Sequence, residues 1–283
     1  MSFVRFTPLH VRLLGLFLAL LSCASSFAAR VDTVAVWSDS MRKTIGVTVI
    51  VPATADVVPV VYLLHGYDGD HTTWLGRTKP SLPSVADSLG VMFVCPDGGN
   101  SWYFDSPVDT SSCYETFVTG ELVAYIDSTY RTLPCREARA VCGYSMGGHG
   151  ALWCAVRHKD VFAAAACLSG GVDLTGYPDS WDIAKVLGRM DANPRLWRQS
   201  SVISLVGEMD GLAIVIDCGT EDFFHRDNLR LHQLLTRAGV EHTYYSFPGG
   251  HTHDYWDAAL DRAMPVIIET FSHAVVGGAG RAE

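Results

Sequence analysis

Residues 143–147 read Gly-Tyr-Ser-Met-Gly and place Ser145 between two small residues, Gly143 and Gly147. The motif follows an apolar run at 140–142 and precedes a stretch at 149–158 that is compatible with a helix. This pattern is typical of a nucleophile elbow, a sharp turn from strand to helix that exposes a serine hydroxyl. The glycines allow the strand and the helix to approach closely. The motif therefore predicts a serine nucleophile, with an acid and a histidine further along the chain.

Three carboxylates lie within six positions at the end of an apolar run at 212–218, namely Asp217, Glu221 and Asp222. Asp217 is still inside the predicted strand. Asp222 follows Gly219-Thr220, in a loop at the carboxyl end of the strand, where the sites of open α/β sheets assemble. We predict Asp222 as the acid and keep Glu221 as the alternative.

Two histidines compete for the role of general base, His251 and His253. His251 directly follows Gly249-Gly250 and precedes a predicted helix, which lets it reach over the serine. His253 comes two residues later, where a bulky residue would pack against the rim of the site. We predict His251 as the base, with His253 as the alternative.

Attack of a serine on a carbonyl carbon places negative charge on the carbonyl oxygen, and two backbone N–H groups are expected to bind it. One is the N–H of Met146, directly after the serine. The other is the N–H of Tyr67, in the glycine-rich turn that follows the apolar run 60–64. We expect His65, at the start of this turn, to be structural and to form hydrogen bonds within the loop.

Aromatic residues in loops near the predicted site are candidates for binding substrate. They would stack on a sugar ring or an aromatic acyl group, and the alternative is that they only pack the loops; they are Trp74, Trp102 and Tyr103. The predicted chemistry needs no metal or cofactor, and the sequence has no Cys-x-x-Cys zinc pattern.

The elements that must position these residues are short β-rich runs alternating with helix-length segments. The alternation predicts one α/β domain at 29–283, with a mainly parallel sheet covered by helices on both faces and an antiparallel edge formed by the first strands. An irregular region at 175–211 is interpreted as an insertion above the sheet, suited to a lid or a pocket wall. The predicted strands are 44–51, 59–64, 91–95, 138–142, 163–168, 212–218 and 242–247, and the predicted helices are 120–130, 147–158, 225–239 and 255–270.

The N-terminal residues have the composition of an export signal. Arg5 and Arg12 precede an apolar run at 13–21, which is short for a membrane span, and small residues follow it. Cleavage after Ala28 predicts an exported protein, periplasmic or extracellular. The rival interpretation is a lipoprotein signal, because residues 20–23 resemble a lipobox in which Cys23 would carry the lipid anchor.

The net charge of the chain indicates which class of partner to exclude. The formal net charge is −9, and removal of the two arginines with residues 1–28 makes it −11. This acidic balance argues against a nucleic-acid partner, because phosphate binding depends on Lys and Arg.

In an oxidising compartment, Cys113 and Cys135, which flank a helical segment in polar surroundings, are the better candidates for a disulfide.

Several short segments occur in an order that is typical of one family of enzymes. They are Tyr-Leu-Leu-His-Gly at 62–66, Asn-Ser-Trp-Tyr at 100–103, Tyr-Glu-Thr-Phe at 114–117 with Glu-Leu at 121–122, Gly-Tyr-Ser-Met-Gly-Gly at 143–148, Cys-Gly-Thr-Glu-Asp-Phe-Phe at 218–224 and Pro-Gly-Gly-His at 248–251 with Tyr-Trp at 255–256. Through these segments the chain resembles the esterase D family of α/β-hydrolases over nearly all of residues 31–272. This family includes S-formylglutathione hydrolases, feruloyl and acetylxylan esterases and mycolyltransferases.

The resemblance implies an α/β-hydrolase fold, with the catalytic serine, aspartate and histidine at Ser145, Asp222 and His251. One departure from the family is His253, where relatives often carry tryptophan. The expected function is a secreted serine esterase acting on carbohydrate-linked acetyl or feruloyl esters. The alternatives are a general short-chain acyl esterase, a thioesterase similar to S-formylglutathione hydrolase, or an acyltransferase. A binding protein on an inactive hydrolase scaffold is disfavoured, because the serine, aspartate and histidine are all present.

Overall fold

The computed structural model describes residues 28–54 and 56–279. The predicted signal segment that ends at Ala28, with its alternative lipidation site at Cys23, precedes this part of the chain and is outside the described residues except for Ala28 itself. Among the described helices, none combines the length and the apolar character that a membrane span requires.

The described residues form an eight-stranded sheet with the order β1-β2-β4-β3-β5-β6-β7-β8. Strand β2 pairs antiparallel with β1 and β4, and all other neighbouring strands are parallel. The predicted mainly parallel sheet with an antiparallel edge is therefore confirmed. The strands are β1 (Arg30–Ser38), β2 (Lys43–Val51), β3 (Val60–Leu64), β4 (Met92–Pro96), β5 (Arg139–Tyr144), β6 (Ala164–Leu168), β7 (Ala213–Asp217) and β8 (Thr243–Tyr245).

Every residue of strands β3 to β6 is buried. Such continuous apolar runs are expected of parallel strands with helices on both faces. The edge strand β1 alternates between exposed and less exposed residues, because one of its faces meets solvent. This strand was not among the sequence predictions.

Helices cover both faces of the sheet and divide the hydrophobic core into two clusters. One face is covered by α1 and α8, and the other by α3, α4 and α7. The α-helices are α1 (Leu82–Leu89), α2 (Tyr114–Thr116), α3 (Leu122–Thr129), α4 (Met146–Arg157), α5 (Ile183–Leu187), α6 (Pro194–Gln199), α7 (His225–Ala238) and α8 (His253–Ala279), and π-helical turns occupy Trp74–Thr78 and Phe117–Glu121.

The segment between β6 and β7 contains only short helical pieces, namely the 3-10 turns Leu174–Gly176 and Val202–Glu208 together with α5 and α6. Trp197 anchors this segment, because its side chain is fully buried and its indole N–H donates to Gly188 O at 2.9 Å. The buried side chains of the insertion predicted at 175–211 thus belong to the same hydrophobic cluster as one face of the sheet.

Cys113 and Cys135 are free thiols in the structure. They lie before and after the helical segment 114–129, and neither of them is paired. The candidate disulfide is therefore absent from this structure.

Candidate active site

Ser145 lies in the sharp turn between β5 and α4 and has an unusual backbone conformation with a positive φ, at φ of 56° and ψ of −120°. A Cβ added to Gly143 would lie 2.2 Å from the carbonyl oxygen of Gly147, and one added to Gly147 would lie 2.2 Å from Leu64 O. These approaches are far shorter than a van der Waals contact. The two glycines therefore allow strand β5, helix α4 and strand β3 to meet, as the elbow motif predicted.

The structure brings Ser145, His251 and Asp222 into one hydrogen-bonded chain. His251 Nε2 lies 2.8 Å from Ser145 Oγ, and His251 Nδ1 lies 2.8 Å from Asp222 Oδ2. An ionised carboxylate only accepts hydrogen bonds, so the proton of a neutral His251 is on Nδ1 and Nε2 accepts from the serine. The side chain of Asp222 is fully buried and its second oxygen accepts the N–H of Phe224 at 2.8 Å.

The two other carboxylates, at the end of β7 and in the loop after it, have different surroundings. Glu221 is exposed. Asp217 is fully buried and accepts from the hydroxyl of Tyr255 at 2.6 Å and from Nε of Arg262 at 2.7 Å. Among these three carboxylates, Asp222 is the one in contact with His251.

His253, the alternative base, points to a different partner. Its Nδ1 lies 2.8 Å from the hydroxyl of Thr78, and its ring packs edge-on against Tyr144 and Trp256. Partial burial lowers the pKa of His253, and the positive charge of Arg77 lowers it further. The residue thus packs at the rim of the site, while His251 contacts the serine.

The backbone N–H groups of Met146 and Tyr67 are the predicted oxyanion donors. Met146 begins helix α4, so its N–H is one of the first-turn donors that have no acceptor within the helix. Tyr67 lies beside Ser145 in the wall of the same cavity. Among the loop and cap hydrogen bonds of the described residues, neither N–H has an acceptor.

His65 holds the loop that carries Tyr67. The ring is fully buried, Nδ1 donates to Gly66 O at 2.7 Å, and Nε2 accepts the N–H of Gly98 at 2.8 Å. Both ring nitrogens are therefore used within the protein. The hydrogen bonds within the loop that were predicted for His65 are present.

Ser145 opens into a cavity of about 360 Å³. Two aromatic side chains that sequence reasoning did not select, Trp181 and Phe223, form one wall and stack with ring centroids 5.5 Å apart. Phe223 is 51% exposed and its ring lies 4.2 Å from that of His251. Its position directly after Asp222 was a usable signal, whereas Trp181 belongs to the insertion, where no periodicity indicates its direction.

The three aromatic residues proposed to stack on substrate are not available for stacking. Trp74 and Tyr103 are fully buried and Trp102 is 1% exposed. Trp74 packs edge-on against Tyr144, Trp102 Nε1 donates to Trp181 O at 2.9 Å, and the hydroxyl of Tyr103 donates to His65 O at 3.1 Å. The prediction of substrate contacts was wrong, because these side chains pack and tether the loops around the site.

The side chains of the described residues include no group of three or more His, Cys, Asp or Glu residues that is suited to hold a metal ion. The buried cysteines of the sheet, Cys95, Cys142 and Cys167, have a raised pKa because burial disfavours the thiolate. These thiols are not activated nucleophiles.

A mainly parallel sheet with a serine elbow after its fifth strand, an acid after the seventh and a histidine after the eighth defines an α/β-hydrolase. Residues 38–267 match the model of the Esterase family, described as "Putative esterase". The chain belongs to this family and is a carboxylic ester hydrolase.

Similar proteins agree with this assignment. An acetyl esterase from Caldicellulosiruptor saccharolyticus is 26% identical over 220 residues, which cover 72% of this chain and 81% of that protein. A diacylglycerol acyltransferase/mycolyltransferase from Mycobacterium avium is 28% identical, with 78% of each chain covered. A solved ferulic acid esterase is 28% identical and superposes with a TM-score of 0.76, over 87% of this chain and 99% of that chain.

Proposed function

We propose that this protein is an exported serine esterase that hydrolyses acyl esters of carbohydrates through an acyl-enzyme intermediate. The observation that carries the proposal is the continuous chain of hydrogen bonds from Ser145 through His251 to Asp222, at 2.8 Å each, in the wall of a cavity. This is the arrangement in which a histidine activates a serine for nucleophilic attack.

In the first step, His251 takes the proton of Ser145 as the serine oxygen attacks the ester carbonyl carbon. The resulting oxyanion accepts hydrogen bonds from the N–H groups of Met146 and Tyr67, and Asp222 stabilises the imidazolium. The C–O bond to the alcohol then breaks, and His251 donates its proton to the departing oxygen. In the second step a water molecule, deprotonated by His251, attacks the acyl-enzyme and releases the acid and the free serine.

The cavity and the similar proteins support the proposed substrate class. The exposed ring of Phe223, stacked on Trp181, offers an apolar face on which a sugar ring or an aromatic acyl group would pack. An acetyl esterase and a ferulic acid esterase are among the similar proteins. These observations support an acetyl or feruloyl ester linked to a carbohydrate.

Export is proposed from the N-terminal sequence, with cleavage after Ala28. Mass spectrometry of the protein from the producing cells tests it. A mature chain that starts at Ala29 supports the soluble exported form, and one that starts at a lipidated Cys23 supports the anchored form. An intact Met1 in the cytoplasmic fraction contradicts export.

The test of the activity is turnover of purified residues 29–283 on p-nitrophenyl acetate, p-nitrophenyl butyrate, methyl ferulate and acetylated xylan. The Ser145→Ala and His251→Ala variants are measured beside it, and their melting temperatures serve as the folding control. We expect both variants to fold and to lose turnover. Substantial turnover in Ser145→Ala would contradict the serine mechanism, and a preference for p-nitrophenyl butyrate over the carbohydrate esters would indicate a general acyl esterase.

Acyl transfer to a sugar is the second candidate, favoured by the similarity to the mycobacterial acyltransferase. It differs from hydrolysis only in the acceptor that attacks the acyl-enzyme. Adding glucose or trehalose to the assay distinguishes the two. An acylated sugar that forms faster than free acid would support the transferase, and free acid alone would support the esterase.

A further inference from the structure

The hydrogen bonds of Thr78 favour one tautomer of a neutral His253, the one in which both contacts of the Thr78 hydroxyl are satisfied. The Thr78 hydroxyl donates to Thr73 O at 3.4 Å, so its proton is already used. Its oxygen therefore accepts the hydrogen bond from His253 Nδ1, which lies 2.8 Å away. A neutral imidazole carries one proton, so Nε2 of His253 has a free lone pair and acts as an acceptor.

The ring of His253 is also held in one orientation. Tyr144 contacts it edge-on with a centroid distance of 5.6 Å and an interplanar angle of 74°, and Trp256 contacts it at 5.0 Å and 82°. Thr78, which orients the ring through Nδ1, is only 2% exposed. A polar group locked by packing and by a buried hydrogen bond is preorganised for a ligand.

His253 Nε2 has no hydrogen-bond partner among the described residues, and it is not one of their enclosed unpaired polar atoms. The residue lines the same cavity as Ser145 and His251. The ring is not part of the Ser145–His251–Asp222 chain, so the catalytic steps do not use it. Nε2 of His253 is therefore an unpaired and unenclosed acceptor on a residue that lines the cavity of Ser145.

The surroundings of His253 favour the neutral form of its ring. Burial lowers the pKa of His253, and the positive charges of Arg77 and of a protonated His251 lower it further, while Asp254 acts in the opposite direction. A neutral acceptor requires a donor from the ligand. Ester and ether oxygens have no proton to donate, whereas a hydroxyl group has one.

We propose that Nε2 of His253 accepts a hydrogen bond from a free hydroxyl group of the substrate, and that His253 thereby selects esters that carry such a group near the scissile bond. The inference rests on the proposed serine esterase function and names the chemistry its substrate must have. The hydroxyl belongs either to the sugar alcohol or to a phenolic acyl group.

The experiment compares two pairs of esters that differ in one donor. Glycerol 1-acetate against propyl acetate places the hydroxyls on the alcohol, and methyl 4-hydroxycinnamate against methyl 4-methoxycinnamate places the hydroxyl on the acyl group. The quantity measured is the ratio of kcat/KM within each pair, because this ratio is insensitive to damage that affects both esters equally. The Ser145→Ala variant of each enzyme gives the background.

We expect His253→Phe, which keeps an aromatic ring between Tyr144 and Trp256, to lower the ratio about tenfold in one of the two pairs, the usual effect of one lost hydrogen bond of good geometry. His253→Gln, whose amide oxygen supplies an acceptor near the position of Nε2, should restore most of the ratio. Thr78→Val, which removes the partner of Nδ1 without changing the side-chain volume greatly, should lower the same ratio by a smaller factor.

Equal losses for both members of each pair in His253→Phe would show that the ring only packs, and would overturn the proposal. An unchanged ratio in both pairs, with turnover that still depends on Ser145, would overturn the role of His253 alone. Absence of Ser145-dependent turnover of every ester would overturn the proposed function and the inference together. The pair that responds identifies whether the hydroxyl lies on the alcohol or on the acyl group.

Discussion

Oδ2 of Asp222 lies 2.8 Å from Nδ1 of His251, while the other carboxylate oxygen is held by the N–H of Phe224. The backbone N–H of Phe224 therefore orients the carboxylate, and the carboxylate in turn orients the ring of His251. This contact places the proton of a neutral His251 on Nδ1 and leaves Nε2 to accept from the serine.

Asp222→Asn should therefore lower kcat/KM by about 10³-fold or more while leaving the fold intact. The amide oxygen can still accept from the N–H of Phe224, but the amide nitrogen that faces His251 donates a hydrogen bond. This favours the His251 tautomer that cannot accept from the serine. The same change in a well-studied serine protease lowers kcat by about 10⁴. Turnover of p-nitrophenyl acetate measures the loss of activity, and the melting temperature shows whether the fold is intact. Glu221→Gln is the matched control, because this exposed neighbour should retain wild-type kinetics. Loss of turnover in Glu221→Gln but not in Asp222→Asn would instead identify Glu221 as the acid.

Gly147→Ala should destabilise the protein and abolish turnover. The added Cβ would lie 2.2 Å from Leu64 O, a backbone atom that can move only if β3 or α4 shifts. Gly120→Ala is the control. A Cβ added to Gly120 would meet no atom within 4 Å, and this glycine also lies in a helical segment. We expect Gly120→Ala to change the free energy of unfolding by no more than about 1 kcal/mol. Equal stability of both variants in urea unfolding would contradict the close approach at the elbow.

The hydrogen-bonded chain of Ser145, His251 and Asp222 was predictable because each residue follows a strand and each carries a local signal. Ser145 lies between required glycines, Asp222 follows a buried strand, and His251 follows a glycine pair. The helix at 82–89 and the first strand were missed, because α1 has only eight residues and β1 alternates with polar residues along an exposed edge.

The substrate contacts were harder to predict because proximity along the chain does not give side-chain direction. Trp102 and Tyr103 have positive φ angles, and their side chains are buried in the core instead of lining the cavity. Phe223 and Trp181 come together from segments more than 40 residues apart, and their contact depends on how the insertion packs. No periodicity in the insertion indicates that arrangement.

Arg262→Met should destabilise the protein by about 3 kcal/mol, because it leaves the fully buried carboxylate of Asp217 without its positive partner. Activity should fall as well. Tyr255, which donates to Asp217, packs against Gly219 and Gly249 in the loops that carry Asp222 and His251.

The double variant Asp217→Asn/Arg262→Met separates the effect of the unpaired carboxylate from the effect of lost arginine packing. It removes the buried negative charge of Asp217, so it should be more stable in urea unfolding than Arg262→Met alone. A double variant as unstable as the single one would attribute the effect to lost packing of the arginine side chain over the rings of Phe247 and Tyr255.

His149 should make the stability of the protein depend on pH between about 6.5 and 4. The ring is fully buried among Trp102, Phe104 and Trp153, and Nε2 donates to Ser200 O at 3.0 Å. Burial lowers the pKa of His149 to about 4, whereas an unfolded histidine titrates near 6.5. Below pH 6.5 the unfolded chain therefore binds a proton that the folded chain does not accept until about pH 4.

Stability must fall as the pH decreases through that window, because the unfolded state binds more protons there. From pH 7 to pH 5 this one ring should account for a loss of about 2 kcal/mol in the free energy of unfolding. Urea unfolding at both pH values, for the wild type and for His149→Gln, measures the difference. The glutamine variant is expected to be less stable at pH 7 but to lose about 2 kcal/mol less between the two pH values; equal losses would show that the ring is protonated in the folded protein.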